Sequence, residues 1–449
     1  SMLVAMYTSA IYGGSITAIL CHTPGTPASA ATAIDGFQLT KQGRGMEAMG
    51  VATLGSAVGG TVSAIAMLLI APALGAFSLK FSVLEYFLLS VFGLTVIASL
   101  AGDSVIKGLF SGILGLALGC VGLDAISGFP RMTLGVIQLE DGINFVPALI
   151  GLFSISQVMS LAWDVYHGKK GSVIEDEENL RKSRALPPFK ETKTLFPTMA
   201  RCSIVGTIVG IVPAAGAGVS SWICYSMGKK FSKHPEKFGH GALEGVASCE
   251  TGNNAATGGA LIPLITLGLP GSSVAAILLG GMMIHGLTPG AAMFTKHANT
   301  TYAIMIGFLI ANILMGIVGL FAARYIAHVS AVPMGYLGPV ITALCFLGTF
   351  AIRNNLFDVG VMVVFGLLGF LLKRCGFAAP PMILGMVLSD ICENNWRRAV
   401  ILANAKGGML SYFLSRPISI VLALLIVVSL FSPMMMSYVD KKSKQNVTK

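Results

Sequence analysis

Residues 258–273 read GGALIPLITLGLPGSS, and residues 13–29 read GGSITAILCHTPGTPAS. Each stretch has a Gly-Gly pair, an apolar run, then Pro-Gly followed by small and hydroxyl residues. In a water-soluble protein such a Pro-Gly marks a surface turn. This chain is 54% hydrophobic and only 11% charged, with a mean hydropathy of +0.78. A soluble domain carries about 25% charged residues. Long, nearly uncharged stretches recur from end to end, which is the pattern of an all-α polytopic membrane protein. The alternating segments of about ten residues that build a membrane β-barrel are not visible. The two Pro-Gly stretches therefore read as breaks in membrane helices.

Apolar runs long enough to span lie near 48–75, 82–100, 104–120, 143–163, 302–323, 338–352, 356–372 and 409–432. Two more regions, 202–228 and 245–290, are apolar but interrupted. The net charge of +10 does not point to nucleic acid. Lys and Arg collect in short loops and near the C-terminus, as cytoplasmic loops of membrane proteins do, and no basic patch is interleaved with aromatics. The cysteines are scattered without metal-ligand spacing and read as reduced, small hydrophobes. The first ten residues carry no basic flank and no signal-peptide pattern.

The long polar segment 164–201 contains EDEENLRKSR and LPPFK and reads as a cytoplasmic linker. It divides the chain into a first membrane repeat, 1–163, and a second, 202–434, with a polar tail, 435–449. The two Gly-Gly stretches start about 245 residues apart. A second pair, GFPRMTLG from Gly128 and GFAAPPMILG from Gly376, follows in the same order at nearly the same offset. Together they point to an internal duplication into two homologous halves. Inversion of one half relative to the other is the commoner symporter design and is the expectation. On the duplication, about 45 residues are missing before Gly13, including a counterpart of IVPAAGAGVSS, residues 211–221.

Segment 202–228 lies between two basic stretches and holds too few residues for two spans of about 20 each. A re-entrant hairpin with PAAGAG, residues 213–218, at its middle fits, and a single tilted helix with a proline kink is the alternative.

Prolines remove backbone donors and glycines tolerate non-helical conformations. In lipid the freed amides and carbonyls are costly unless they face protein, water or ligand. Helix N-termini attract anions, and unwound carbonyls coordinate cations. Thr23, Thr26, Ser29, Ser272 and Ser273 add hydroxyls beside the breaks, and Asn253 and Asn254 add amides before the second one. Close helix packing through small residues is the alternative for any single glycine. Among the acids Asp35, Glu244, Glu250, Asp390 and Glu393, Glu250 in CETGNN is best placed as a cation or proton ligand or as a helix cap. Asp35 reads as interfacial, and Asp390 with Glu393 as a solvated pair at a helix end. His22, His240 and His285 receive no proton role. Arginine is sparse near the breaks, so an anionic substrate would be balanced by helix ends, hydroxyls and co-bound cations. No Walker A pattern, nucleophile elbow or zinc motif occurs, so neither ATP hydrolysis nor enzymatic catalysis is expected.

YGGSITAILCHTPGTPASAATAIDGF and GNNAATGGALIPLITLGLPGSS, with IVPAAGAG and GLTPGAAMF, resemble the large membrane subunit of tripartite tricarboxylate transporters, the TctA family. The resemblance covers essentially the whole chain. It implies a permease of the bacterial inner membrane that takes an organic acid from a periplasmic solute-binding protein and imports it with a cation gradient. It also implies a small membrane subunit as a further partner. Family members usually begin with an extra Pro-Gly-rich segment, in line with the missing residues inferred above. The resemblance assigns Thr23, Pro24, Gly25, Pro27, Ala28, Ser29, Pro270, Gly271 and Ser272 to the binding region, with Asn253 and Asn254. Thr26 and Ser273 join the substrate set through their hydroxyls. Glu250, Asn253, Asn254, Pro213 and Gly216 form the candidate cation set. This chain has Cys21-His22 where the family often has Leu-Asn, Thr26 where an acid is frequent, and Cys249 where proline is common. No cofactor is expected beyond a coupling ion, Na+ rather than H+. Competing readings are a passive organic-anion channel, a truncated subunit that does not transport, and a membrane-embedded enzyme.

Overall fold

The computed structural model describes residues 1–22, 24–100, 104–124, 128–167, 186–212, 216–329, 334–405 and 407–430. The chain opens with α1 (Met2–Cys21), α2 (Ala30–Lys41), α3 (Gly45–Ser78), α4 (Val83–Leu100) and α5 (Val105–Gly119). A short antiparallel hairpin follows, β1 (Gly122–Leu123) with β2 (Pro130–Arg131). Next come α6 (Phe145–Ile150) and α7 (Ser156–Tyr166), joined by a π-helical turn at Gly151–Ile155. The middle of the chain forms α8 (Phe189–Ile211), α9 (Gly216–Phe231), α10 (Leu243–Leu267), α11 (Ser273–Ile284) and α12 (Ala291–Thr295). The rest is α13 (Ala298–Val329), α14 (Met334–Arg353), α15 (Leu356–Arg374), α16 (Ala379–Ala405), α17 (Met409–Leu414) and a final apolar helix α18 (Pro417–Leu430).

Among the described residues six helical stretches are long and apolar enough to cross a membrane: Met2–Leu20, Gly45–Phe77, Phe145–Trp163, Phe189–Ile211, Ala298–Ala322 and Leu356–Arg374. The fold is that of an all-α polytopic membrane protein, and its lipid-length helices expose Leu, Ile, Val and Phe freely.

The chain divides into two compact units, and each draws on both sides of the polar segment. The first comprises Ser1–Ser78 and Lys169–Leu337, the second Leu79–Gly168 and Gly338–Lys449. In the second unit α16 packs on α4 and α5. Backbone approaches backbone there: a Cβ at Gly115 would lie 1.9 Å from the Met382 carbonyl oxygen. The buried Glu85 accepts hydrogen bonds from Arg416 and Ser419.

The centre of the first unit is α10. Its sequence, LEGVASCETGNNAATGGALIPLITL, is too polar to be recognised as a span, yet it is buried along almost its whole length. Small residues explain how. Gly55 and Gly59 of α3 approach Thr251, and Gly206 and Gly210 of α8 approach Gly252 and Ala256. Both pairs have the small-xxx-small spacing that lets helix backbones meet closely. Tyr12, Ile16, Leu39, Met49, Met199 and Val246 fill the apolar core around them.

The hairpin expectation changes in one respect. α8 starts at Phe189, inside the polar segment, and is long enough to cross by itself. Lys190, Glu191 and Lys193 in its first turns make this start read as linker. α9 returns beside it, with Cys224 of α9 facing Cys202 of α8.

Candidate functional site

α1 ends in a left-handed residue, His22, with φ 52°, and α10 ends in another, Gly268, with φ 72°. After each end the chain doubles back on the helix it has just left. The Gly25 N–H donates to the Gly14 carbonyl at 3.0 Å. A Cβ at Gly25 would lie 2.8 Å from Gly14 Cα, and one at Gly271 would lie 2.8 Å from Ala260 Cβ. The spacing between glycine and contacted residue is the same in both breaks. Each break then starts a new helical segment with a hydroxyl cap: Thr26 and Ser29 form a capping box, and Ser272 Oγ accepts from Ala275 N. The second pair of matching stretches shares no such form: Pro130–Arg131 is a strand, whereas α16 begins at Ala379.

The breaks meet. A Cβ at Gly216, the start of α9, would lie 3.5 Å from the Gly271 carbonyl oxygen and from Ser272 Cβ. One at Gly218 would lie 3.7 Å from the Pro27 carbonyl oxygen and 3.9 Å from Ala28 N. Tyr7 of α1 places its hydroxyl 3.2 Å from Ser272 Oγ. Three segment starts, at Pro27, Gly216 and Ser273, therefore lie side by side; Pro27 carries no N–H, the Ser29 N–H donates to the Thr26 carbonyl and the Ala275 N–H to Ser272 Oγ. Ala28, Ser29, Gly216, Pro270 and Gly271 are buried there, Thr26 and Ser272 are half-buried, and Pro24, Gly25 and Pro27 are exposed. Thr23 and Pro213 lie outside the described residues.

Glu250 is fully buried on α10. Its Oε1 accepts from Ser15 Oγ at 2.6 Å, from Thr32 Oγ1 and from Asn253 Nδ2 at 3.1 Å; its Oε2 accepts from Ser56 Oγ at 3.0 Å. These groups come from α1, α2, α3 and α10, and every one is fully buried. Among the described residues no lysine, arginine or histidine pairs with Glu250. The network runs on: Asn254 Nδ2 donates to Asn253 Oδ1, and Thr8 Oγ1 lies 3.0 Å from Asn254 Oδ1 and 2.7 Å from Asn312 Oδ1. Thr8 has one proton and serves one of these two oxygens at a time.

The other acids have different partners. Asp35 Oδ1 accepts the backbone N–H groups of Gly239, Gly241 and Ala242, and Oδ2 accepts from Tyr225 Oη. Asp35 is thus no interfacial acid: it is buried and fixes the loop that leads into α10. Glu244 accepts from Thr198 and Ser232. In the second unit Glu393 is held by Arg131 and Arg397, which also reach Asp124. That hydrogen bond pushes the Arg131 pKa further up. Asp390 is exposed. His22 stacks on Phe37 at 4.6 Å.

Ser15, Thr32, Ser56, Thr8, Tyr7 and Asn312 are absent from the residues singled out in the sequence. Asn312 offered a signal, a lone amide in the apolar run YAIMIGFLIANILMG, residues 302–316. The hydroxyls offered none, because Ser and Thr within helices commonly bond back to their own carbonyls.

Residues 1–384 match the sequence profile of the tripartite tricarboxylate transporter TctA family. A relative from Agrobacterium vitis, an uncharacterized 52.8 kDa protein in the TAR-I ttuC' 3' region, is 38% identical over 418 residues, covering 93% of this chain and 81% of the relative. A second protein of Agrobacterium vitis, an uncharacterized protein in the TAR-II ttuC' 3' region, is 36% identical over 214 residues, covering 48% of this chain and 87% of that relative. No solved structure matches the chain.

Proposed function

The chain belongs to the tripartite tricarboxylate transporter TctA family, and from that premise we propose that it is the permease subunit of a secondary transporter. It imports tricarboxylates or related organic acids by cation symport, with Na+ favoured over H+. A periplasmic solute-binding protein delivers the acid, a small membrane subunit completes the assembly, and the site of action is the bacterial inner membrane. The meeting of three segment starts at 24–29, 216–218 and 270–273 carries this reading.

Backbone N–H groups at helix starts present partial positive charge without a titratable group. A polycarboxylate placed among them exchanges hydration for these amides and for the hydroxyls of Thr26 and Ser272. The first-turn residues named there include no arginine or lysine, so the anion's charge is balanced elsewhere. A co-transported cation held near Glu250, Asn253 and Asn254 supplies that balance. Prolines and glycines at the breaks keep the backbone from closing into continuous helix, so the first-turn amides that no cap engages remain for the ligand. Two hydroxyl-capped breaks of matching form support the duplicated design, with alternating access around a fixed site.

The test is citrate binding to the purified chain. Ser272→Ala together with Thr26→Ala removes both hydroxyls and leaves the backbone amides. The expected outcome is an affinity loss of about tenfold, or 1.4 kcal/mol. Unchanged affinity would move the substrate away from the breaks.

A further inference from the structure

We propose that the oxygens around Glu250 form the binding site for a small monovalent cation, Na+ above all, with Glu250, Ser15, Thr32 and Ser56 as its ligands. The proposal rests on the cation-coupled reading above and gives the ion a defined place.

The case begins with charge. Glu250 is fully buried among four donors, three hydroxyls and one amide. Hydrogen bonds donated to a carboxylate favour its ionised form while burial opposes it, so a charged Glu250 calls for a cation beside it. A buried charge without an opposite partner is strongly unfavourable, and among the described residues no basic side chain pairs with it. One monovalent cation cancels the one negative charge.

The donor types narrow the ion. Carboxylate and hydroxyl oxygens are hard ligands, suited to alkali and alkaline-earth cations rather than to zinc or copper. A divalent ion would leave excess positive charge on a single carboxylate. Among the described residues no cluster of three His, Cys, Asp or Glu side chains has the arrangement to hold a metal. Each hydroxyl has one proton and two lone pairs. Rotation about the C–O bond turns Ser15, Thr32 and Ser56 from donors to the carboxylate into ligands of the ion. Asn253 keeps its hydrogen bond to Oε1 and acts as a positioning residue.

The location couples this ion to the substrate. Ser15 precedes the first break and Thr32 follows it; Glu250 lies on the helix that ends at the second. An ion bound to these residues ties α1 and α2 together around 22–29 and braces both against α10. Ion binding therefore orders the breaks before the anion arrives, and by linkage the anion tightens the ion in equal measure.

The experiment measures equilibrium binding of radioactive sodium to the full chain in nanodiscs, together with the effect of NaCl against choline chloride on thermal unfolding. The wild type binds Na+ saturably and is stabilised by it. Thr32→Ala weakens Na+ binding by at least about tenfold, a loss of 1.4 kcal/mol, and Thr32→Ser restores it. Glu250→Gln abolishes it. Thr257→Ala removes a buried hydroxyl of α10 that donates to the Asn254 carbonyl, and leaves Na+ binding unchanged. If Glu250→Gln does not fold, the Thr32→Ala and Thr32→Ser pair decides. Equal Na+ binding in wild type and Thr32→Ala overturns the site, and so does a wild type that responds to acid but not to Na+. Substrate uptake in proteoliposomes is read in parallel. Na+-driven uptake with unaltered Na+ binding in Thr32→Ala overturns this site and leaves the symport reading standing. Uptake indifferent to every cation gradient overturns that reading itself.

Discussion

One oxygen of Asp35 holds three backbone N–H groups where the chain enters α10, at 2.8, 2.9 and 3.0 Å. A buried acceptor removed from such a site strands its donors. Asp35→Ala is expected to lower stability by about 2–3 kcal/mol, measured by denaturant unfolding in detergent. Gly59 acts by what it lacks: a Cβ there would lie 2.2 Å from the Thr251 carbonyl oxygen, a backbone atom that cannot swing aside. Gly59→Ala is expected to cost about 1–3 kcal/mol and to lower the yield of monodisperse protein. Gly13→Ala, which meets nothing within 4 Å, serves as the control and costs neither stability nor yield, since alanine is the better helix former. Glu250 was legible in the sequence because an acid in an apolar run has few benign explanations. Its hydrogen-bond partners were not, since Ser15, Thr32 and Ser56 look like any helical hydroxyl until the fold brings four helices together. The role of Asp35 was equally hidden, because its partners are backbone groups about two hundred residues away.

At the scale of elements, the breaks were legible and their meeting was not. Pro-Gly after an apolar run announces where α1 and α10 stop. That Gly216 lies close to Gly271 and Gly218 close to Pro27 is a matter of tertiary packing, which no local pattern encodes. α10 was the hardest element to read, because hydropathy penalises the Gly, Thr and Asn residues that let it sit buried between α3 and α8. Pro270→Ala with Gly271→Ala restores helical propensity and adds a Cβ against Ala260. The double variant is expected to abolish uptake while membrane insertion, read by carbonate extraction, stays intact. Normal uptake by it would remove the second break from the mechanism.

At the scale of the whole molecule, the class came from composition alone, since so few charges over so long a chain leave a membrane as the only fitting solvent. The compact units were not legible, because each is assembled from segments on both sides of the polar stretch. The proposed symport, with the anion at the breaks and the cation at Glu250, predicts accumulation that neither a pore nor an inert subunit can produce. The deciding measurement is uptake of labelled citrate into proteoliposomes holding the chain with the proposed small subunit and solute-binding protein, with an inward Na+ gradient at fixed pH. Accumulation above the outside concentration that vanishes when the gradient is collapsed is the predicted result. Equilibration to the outside concentration whatever the gradient would contradict it and identify a passive path.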